Sequence, residues 1–361
     1  MTLGTGWLRA LGTSFTLAVG LAVTTPADAG TVPFDGEGHA ENPVWSPDGH
    51  YLAFEVNRFA GDTEMFVSEV SGDIPRQARK MNLPGSGGGF GAGNRVTINA
   101  AWHPQPLVLF EGSNQGGQFR IYYAVPGDGN ASEMIKTSDA PGDLTFPAMR
   151  PDGGKMAFIS DQTGNGDIRI RDTGTEAITQ LTNTEGSEMF PEYSDDGSKL
   201  LFTRKRNSVE AVYMIDLASG EERTISSGNA DRTRPTFAGD RIVFFSSDGS
   251  DGWDLVSTDM NGQGRQTLAR GVRLPVRGRP QTTPDGRYVA YTSADPTQSS
   301  KVTLVRADGS SRVDIPTGFV ACGEPAVTVS ADGRTKLAFT ALPDANAAWR
   351  FLSVIDITGR I

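Results

Sequence analysis

The sequence is poor in the side chains that usually carry metal and redox chemistry. Its 361 residues include one cysteine, Cys322, and three histidines, His39, His50 and His103. One cysteine excludes an intrachain disulfide and any multi-cysteine zinc site. Cys322 is expected to be a buried small residue rather than a reactive thiol. No G-x-S-x-G elbow is present, and no glycine-rich stretch ends in the G-K-[ST] of a phosphate loop. No segment carries a sustained apolar stripe at helical spacing. The net charge is −10, and an acidic chain repels phosphate backbones, so nucleic acid is not an expected partner.

Long apolar runs are also missing. FTLAVGLAV, from Phe15, is too short to span a bilayer comfortably. With Arg9 before it and Ala27-Asp28-Ala29 after it, the run reads as a cleaved export signal over residues 1–29. Gly30 stands where a lipid anchor would need cysteine, so the mature chain is expected to be periplasmic or secreted, without a membrane span. Arg9 and Asp28 cancel, leaving the mature charge at −10.

What the sequence does have is glycine (44), proline (21) and a repeat. NPVWSPDGHYLAF, from Asn42, returns as FPAMRPDGGKMAF from Phe146, FPEYSDDGSKLLF from Phe190, RPQTTPDGRYVAY from Arg279 and EPAVTVSADGRTKLAF from Glu324. RPTFAGDRIVFF, from Arg234, is shortened, and NAAWHPQPLVLF, from Asn99, is degraded. Aligned on Pro43, Ala100, Pro147, Pro191, Pro235, Pro280 and Pro325, the first interval is 57 residues and the others are 44 to 47. A period in the mid-forties with several strands per unit predicts propeller blades.

Each unit parses into four strands. The first reads Asn42–Trp45, Tyr51 to about Val56, Glu64–Val70 and a fourth near residues 76–81. In Ser46-Pro47-Asp48-Gly49, proline presets φ, aspartate suits the third turn position and glycine accepts the left-handed conformation that follows. The leading proline belongs at a strand start or an edge, such as the innermost strand of a blade. One ring per unit, Phe54, Phe110, Phe158, Phe202, Phe244, Tyr291 and Phe339, is expected to pack blade on blade.

This pattern, roughly P-x-aromatic-S-P-D-G then apolar-A-F, resembles the propeller repeat of TolB and its relatives over residues 38–361. SDQTGNGDIRI, from Ser160, is similar to that family's hairpin between second and third strands. The resemblance implies an all-β fold and leaves function open. Two departures stand out: the α/β domain that precedes the propeller in TolB has no counterpart after the signal, and seven units are counted where TolB has six. The expectation is therefore one domain over residues 30–361, a seven-bladed β-propeller of four-stranded blades with six blades as the alternative. Repeats start near 42, 99, 146, 190, 234, 279 and 324. The final unit lacks an outer strand, and Thr31-Val32-Pro33-Phe34 has no unit of its own, so this segment is expected to close the ring. An unpaired edge would otherwise invite aggregation.

The sharpest constellation is a pair of arginine doublets, Arg232 and Arg234 in DRTRP, and Arg277 and Arg279 in VRGRP. Both precede the strand-one proline in consecutive units. Residues two apart on a strand face one side, which would gather four guanidinium groups at one sector of the channel mouth. Arginine suits carboxylate recognition, so the doublets read as an anion site; the alternative is internal pairing with Asp231, Glu324, Glu188 or Glu41. Glu37, His39 and Glu41 alternate before the first unit and are weak metal candidates. No catalytic residue is assigned and no cofactor is expected. Propeller peptidases carry a hydrolase domain after the blades, and the chain stops inside the last blade. Seven-bladed pectate-fragment lyases use several histidines around a metal, more than this chain offers. Asp161–Asp167 resembles the start of a calcium loop but reads better as a hairpin. The glycine-rich segment 84–94 reads as a loop between the first two units. The functional expectation is a monomeric, non-enzymatic scaffold binding an envelope protein, a peptide segment or an acidic ligand at the channel mouth. The alternative is a lyase or hydrolase acting on an acidic polysaccharide.

Overall fold

The computed structural model describes residues 30–58, 61–72, 74–84, 95–113, 117–226, 228–247 and 252–361. Residues 1–29, read above as an export signal, and residues 85–94 of the glycine-rich segment lie outside the described residues. Within them the chain is all-β apart from a 3-10 turn at Pro296–Gln298.

Each repeat unit folds as an antiparallel meander. The third unit shows the plan: Leu144–Met149, Lys155–Ser160, Asp167–Asp172 and Ile178–Gln180 pair in sequence order. The units beginning at Ser187, Arg232 and Gln281 repeat it. The first two units join into one larger sheet through a parallel bridge between Thr63 and Val96. The last sheet holds Ala321–Val329, Thr335–Leu342 and Phe351–Asp356, and Gly30–Thr31 pairs antiparallel on its outer edge.

The turns follow from their residues. Ser46 Oγ donates to Asp48 Oδ1 and accepts from Tyr51 N, Asp48 Oδ1 accepts from His50 N, and Gly49 takes φ 66°. Ser194-Asp195-Asp196-Gly197 is built alike. Each turn thus satisfies its own polar groups and fixes the register of the first two strands.

The rings predicted to pack blade on blade do so. Phe54, Phe110, Phe158, Phe202, Phe244 and Phe339 are fully buried, while Tyr291 is half-buried. Burial of each ring contributes about 2–3 kcal/mol. Clusters bridge neighbouring sheets: Leu52, Phe54 and Phe66 of the first unit meet Ala338, Leu352 and Val354 of the last. Indole donors stitch the same seams, Trp45 Nε1 to Ala326 O at 3.1 Å and Trp102 Nε1 to Val44 O at 3.1 Å. Cys322 is buried, and burial pushes its thiol up to about 11.

Candidate binding site at the channel mouth

The innermost strands carry a feature that local sequence did not announce. The residue before the aligned position, proline in all but the second unit, is left-handed in six units: φ is 51° at Asn42, 55° at Asn99, 50° at Phe146, 54° at Phe190, 56° at Arg234 and 44° at Glu324. Each sits in a β-bulge against the second strand. Such φ values are costly for a non-glycine residue and persist only where the surroundings hold them.

Part of what holds them is a set of side chains reaching from the preceding unit. Glu55 Oε1 accepts from Asn99 N at 2.9 Å and Glu111 Oε1 from Phe146 N at 2.5 Å. Thr203 Oγ1 accepts from Arg234 N at 3.0 Å, and Glu324 Oε2 from Asn42 N at 2.6 Å. Glu55, Glu111 and Thr203 each follow the core aromatic of their unit. The acidic residue directly after the ring, in Phe54-Glu55 and Phe110-Glu111, was the available signal that sequence reasoning missed.

Both glutamates are buried. Burial lifts Glu111 to about 8, opposed by Phe146 N–H and the Asn99 side chain. Burial also lifts Glu55, to about 7, against the attraction of Arg277 and the Asn42 and Asn99 donors. Glu41 is raised by burial and by Glu324, and its Oε2 makes no hydrogen bond.

The structure brings Arg234, Arg277 and Arg279 together and sends Arg232 elsewhere. Arg232 Nη1 donates to Ala230 O at 2.8 Å, and burial followed by Arg265 lowers its guanidinium. Arg277 Nη1 donates to Glu55 Oε2 at 2.8 Å and stands 3.9 Å from Glu41 Oε2. Arg279 donates to Glu192 Oε2 at 2.8 Å and to Pro191 O at 2.6 Å. Among the described residues Arg234 faces no carboxylate at bonding distance. Its Nη1 caps Pro275 O at 2.6 Å and Gly278 O at 3.0 Å, its Nη2 caps Val276 O at 3.3 Å, and its guanidinium lies over the Phe190 ring. Burial lowers Arg234 to about 10. Of the carboxylates considered as internal partners, Glu41 and Glu324 reach this region, whereas Glu188 pairs with Arg204 and Asp231 accepts from Glu210 N.

Arg277 and Arg279 line a cavity of about 120 Å³ whose other walls include Asn42, Asn99, Phe146 and Phe190. A larger cavity of about 350 Å³ lies between the second and third units on the turn rim, near His103, and includes none of the arginines of the mouth. His39 Nδ1 accepts from Arg350 N at 3.2 Å and its ring abuts Trp349. Glu37, His39 and Glu41 are not gathered around a common point: among the described residues no group of three His, Cys, Asp or Glu side chains could hold a metal ion. The segment Asp161–Asp167 is a hairpin tip, with Gly164 N donating to Asp161 O.

Repeated four-stranded meanders, packed face to face by one ring per unit around a polar mouth, define a β-propeller. Residues 130–331, more than half of the chain, match the family described as TolB beta propeller domain, and the chain belongs to that family. It is 30% identical over 145 residues to a protein TolB homolog of Chlorobium chlorochromatii, covering 39% of this chain and 32% of that protein. The curated relatives it matches are longer than the shared part, which spans 32% to 46% of their length. Among solved structures, TolB of Acinetobacter baumannii is similar at TM-score 0.53 and 18% identity, over 79% of this chain and 65% of that one. An oligogalacturonate lyase of Vibrio parahaemolyticus is similar at TM-score 0.60 and 11% identity, over 93% of each chain. At such identities the likeness to solved structures is one of fold. No helix among the described residues is long and apolar enough to cross a membrane.

Proposed function

We propose that this chain is an exported binding scaffold of the cell envelope that engages a protein segment or an acidic ligand through the channel mouth, without catalysing a reaction. The observation that carries the reading is the chemistry of the mouth. There Arg234 gathers the backbone carbonyls of Pro275, Val276 and Gly278, Arg277 meets the buried carboxylate of Glu55, and Arg279 meets the part-exposed carboxylate of Glu192, an arrangement suited to recognition. An enzyme needs a base within hydrogen-bond reach of the groups that hold its substrate. His39, at the entry to the first unit, is engaged with Arg350 and Trp349 instead, and Glu55, the carboxylate on Arg277, is fully buried with both oxygens accepting from protein donors. Relatives bear the name Tol-Pal system protein TolB, so a Pal-type envelope protein is the first partner to try.

The same reading takes the fold as a monomeric ring of seven blades closed by the mature N-terminal strand. It is supported by the seven aligned units, by the pairing of Gly30 with Val354, and by the packing of the first unit against the last. Residues 1–29 act as the export signal and Gly30 begins the mature periplasmic or secreted protein. Arg232, although turned toward Ala230, is retained with Arg234, Arg277 and Arg279 in the proposed anion-binding set, where an acidic ligand competes with the internal carboxylates.

The test is a binding titration of Pal from the same cell, alongside capture from envelope extract, with the wild-type chain and with Arg234→Ala/Arg279→Ala. Loss of a specific partner in the variant is expected; an unchanged set of partners removes the mouth from the account. The second reading, an enzyme on an acidic polysaccharide, draws on the fold likeness to oligogalacturonate lyase. Incubation with oligogalacturonate and Mn²⁺ is expected to give no unsaturated product; ultraviolet absorbance from such a product would reverse the order of the two readings.

A further inference from the structure

Six of the inner strands pass through the left-handed bulge before the aligned residue, and the strand that follows Arg279 does not. Arg279 lacks the positive φ of its counterparts, and its strand is reduced to Gln281–Thr282. The residues withheld from that sheet, 274–279, cross the mouth instead.

They are held as a bound peptide is held. Three backbone carbonyls, of Pro275, Val276 and Gly278, are capped by Arg234. Val276 N donates to Glu324 Oε1 at 2.7 Å. Arg277 reaches Glu55 in the first unit, and Arg279 reaches Glu192 and Pro191 O in the fourth. A Cβ on Gly278 would stand 2.9 Å from Asn42 Oδ1, so the strap lies directly against the first unit. By contrast the Val276 side chain faces solvent, 53% exposed. Leu274 is anchored on the apolar cluster around Leu255 and Val272, and from Pro275 onward the strap is fastened by polar contacts that an incoming segment of similar chemistry could take over.

We propose that residues 274–279 are an internal ligand, and that the external partner of the mouth is an extended peptide segment carrying arginine, which takes the same contacts when the strap is displaced. The commitment to arginine rests on the group already seated there. Glu192 Oε2 and Pro191 O accept from the two terminal nitrogens of one guanidinium, a planar fork that lysine cannot present. This inference rests on the mouth-binding reading and deepens it. A mouth occupied by its own chain weakens external binding by the fraction of time it is open.

The test uses the full mature chain and a fluorescein-labelled peptide of residues 272–280, VRLPVRGRP, followed by anisotropy. Arg277→Ala/Arg279→Ala releases the strap and is expected to bind the peptide at least about tenfold more tightly than wild type. Because that variant leaves Glu55 buried without its arginine, Gly278→Ala is the companion: it crowds Asn42 and loosens the strap while removing no charged side chain. It is expected to gain affinity in the same direction. A peptide with both distal arginines changed to lysine is expected to bind about tenfold more weakly. No gain in either folded variant, or equal binding of the lysine peptide, overturns the proposal. So does an envelope partner that depends on the mouth yet is not displaced by the arginine peptide, an outcome that leaves the mouth reading standing. Peptide binding to the released variants with no mouth-dependent envelope partner supports the internal ligand and removes the mouth reading instead.

Discussion

Glu111 concentrates the electrostatic cost of the inner ring. Its ordinary value is 4.5 and burial lifts it to about 8 in the folded chain. Between those values the folded state holds a proton that the unfolded state has released. The contribution to stability is therefore fully present below about pH 4.5 and is lost as pH rises through about 8. Glu111→Gln keeps an acceptor for Asn99 and Phe146 N–H and removes the ionisation. Urea unfolding is expected to show the variant near wild type at pH 5 and more stable at pH 8.5 by about 1–3 kcal/mol. Parallel pH profiles for the two proteins would show that Glu111 does not titrate in this range. The core rings offer a simpler contrast. Phe158→Ala should cost about 3–5 kcal/mol by the same assay, and Tyr291→Ala, at a half-buried position, clearly less.

Among elements, the turns between first and second strands divide by what lies next to them. Gly286 has φ 67°, and a Cβ there would stand 2.1 Å from Gly239 N of the neighbouring unit. Gly333 has φ 79° with nothing within 4 Å of its Cβ position. Gly333→Ala should therefore cost about 1 kcal/mol, the backbone penalty alone, and Gly286→Ala should cost more because two turns must separate. Equal losses of thermal stability would mean that the turns do not meet. These turns, the strand order and the core rings were legible in the sequence because their causes are local: proline, aspartate and glycine set the hairpin within four residues, and alternation sets the buried face. The site was legible only in part. Arg277 and Arg279 stood out as a doublet, but the partner of Arg277 is Glu55, 222 residues away. The six bulges left no trace in the motif where they occur; for four of them the acceptor comes from the adjacent unit, and its only sequence sign is the glutamate after the ring in the first two units. At Arg279 the same proline-led motif led to a strap rather than a bulge, and the motif itself reads alike in both cases.

For the whole molecule the decisive contact is the one between Gly30–Thr31 and Phe351–Asp356. Val32 is fully buried beside it, its N–H donates to Leu352 O at 2.8 Å, and Phe34 packs against Phe54 and Phe66. Val32→Asp places a charge in that seam. It should lower the melting temperature by several degrees and open the edge of the last sheet to deuterium exchange before the other sheets. Uniform exchange across all sheets would argue against closure by this strand. The pairing also orders events in time. Its two strands lie at opposite ends of a long chain, and contacts of such separation form late. A polypeptide emerging amino-end first must keep its opening residues waiting, solvated and unengaged, until the final strand is made. On the proposed closure, the clasp is the last step of assembly, and the interval before it is when the nascent protein is most open to proteases and chaperones.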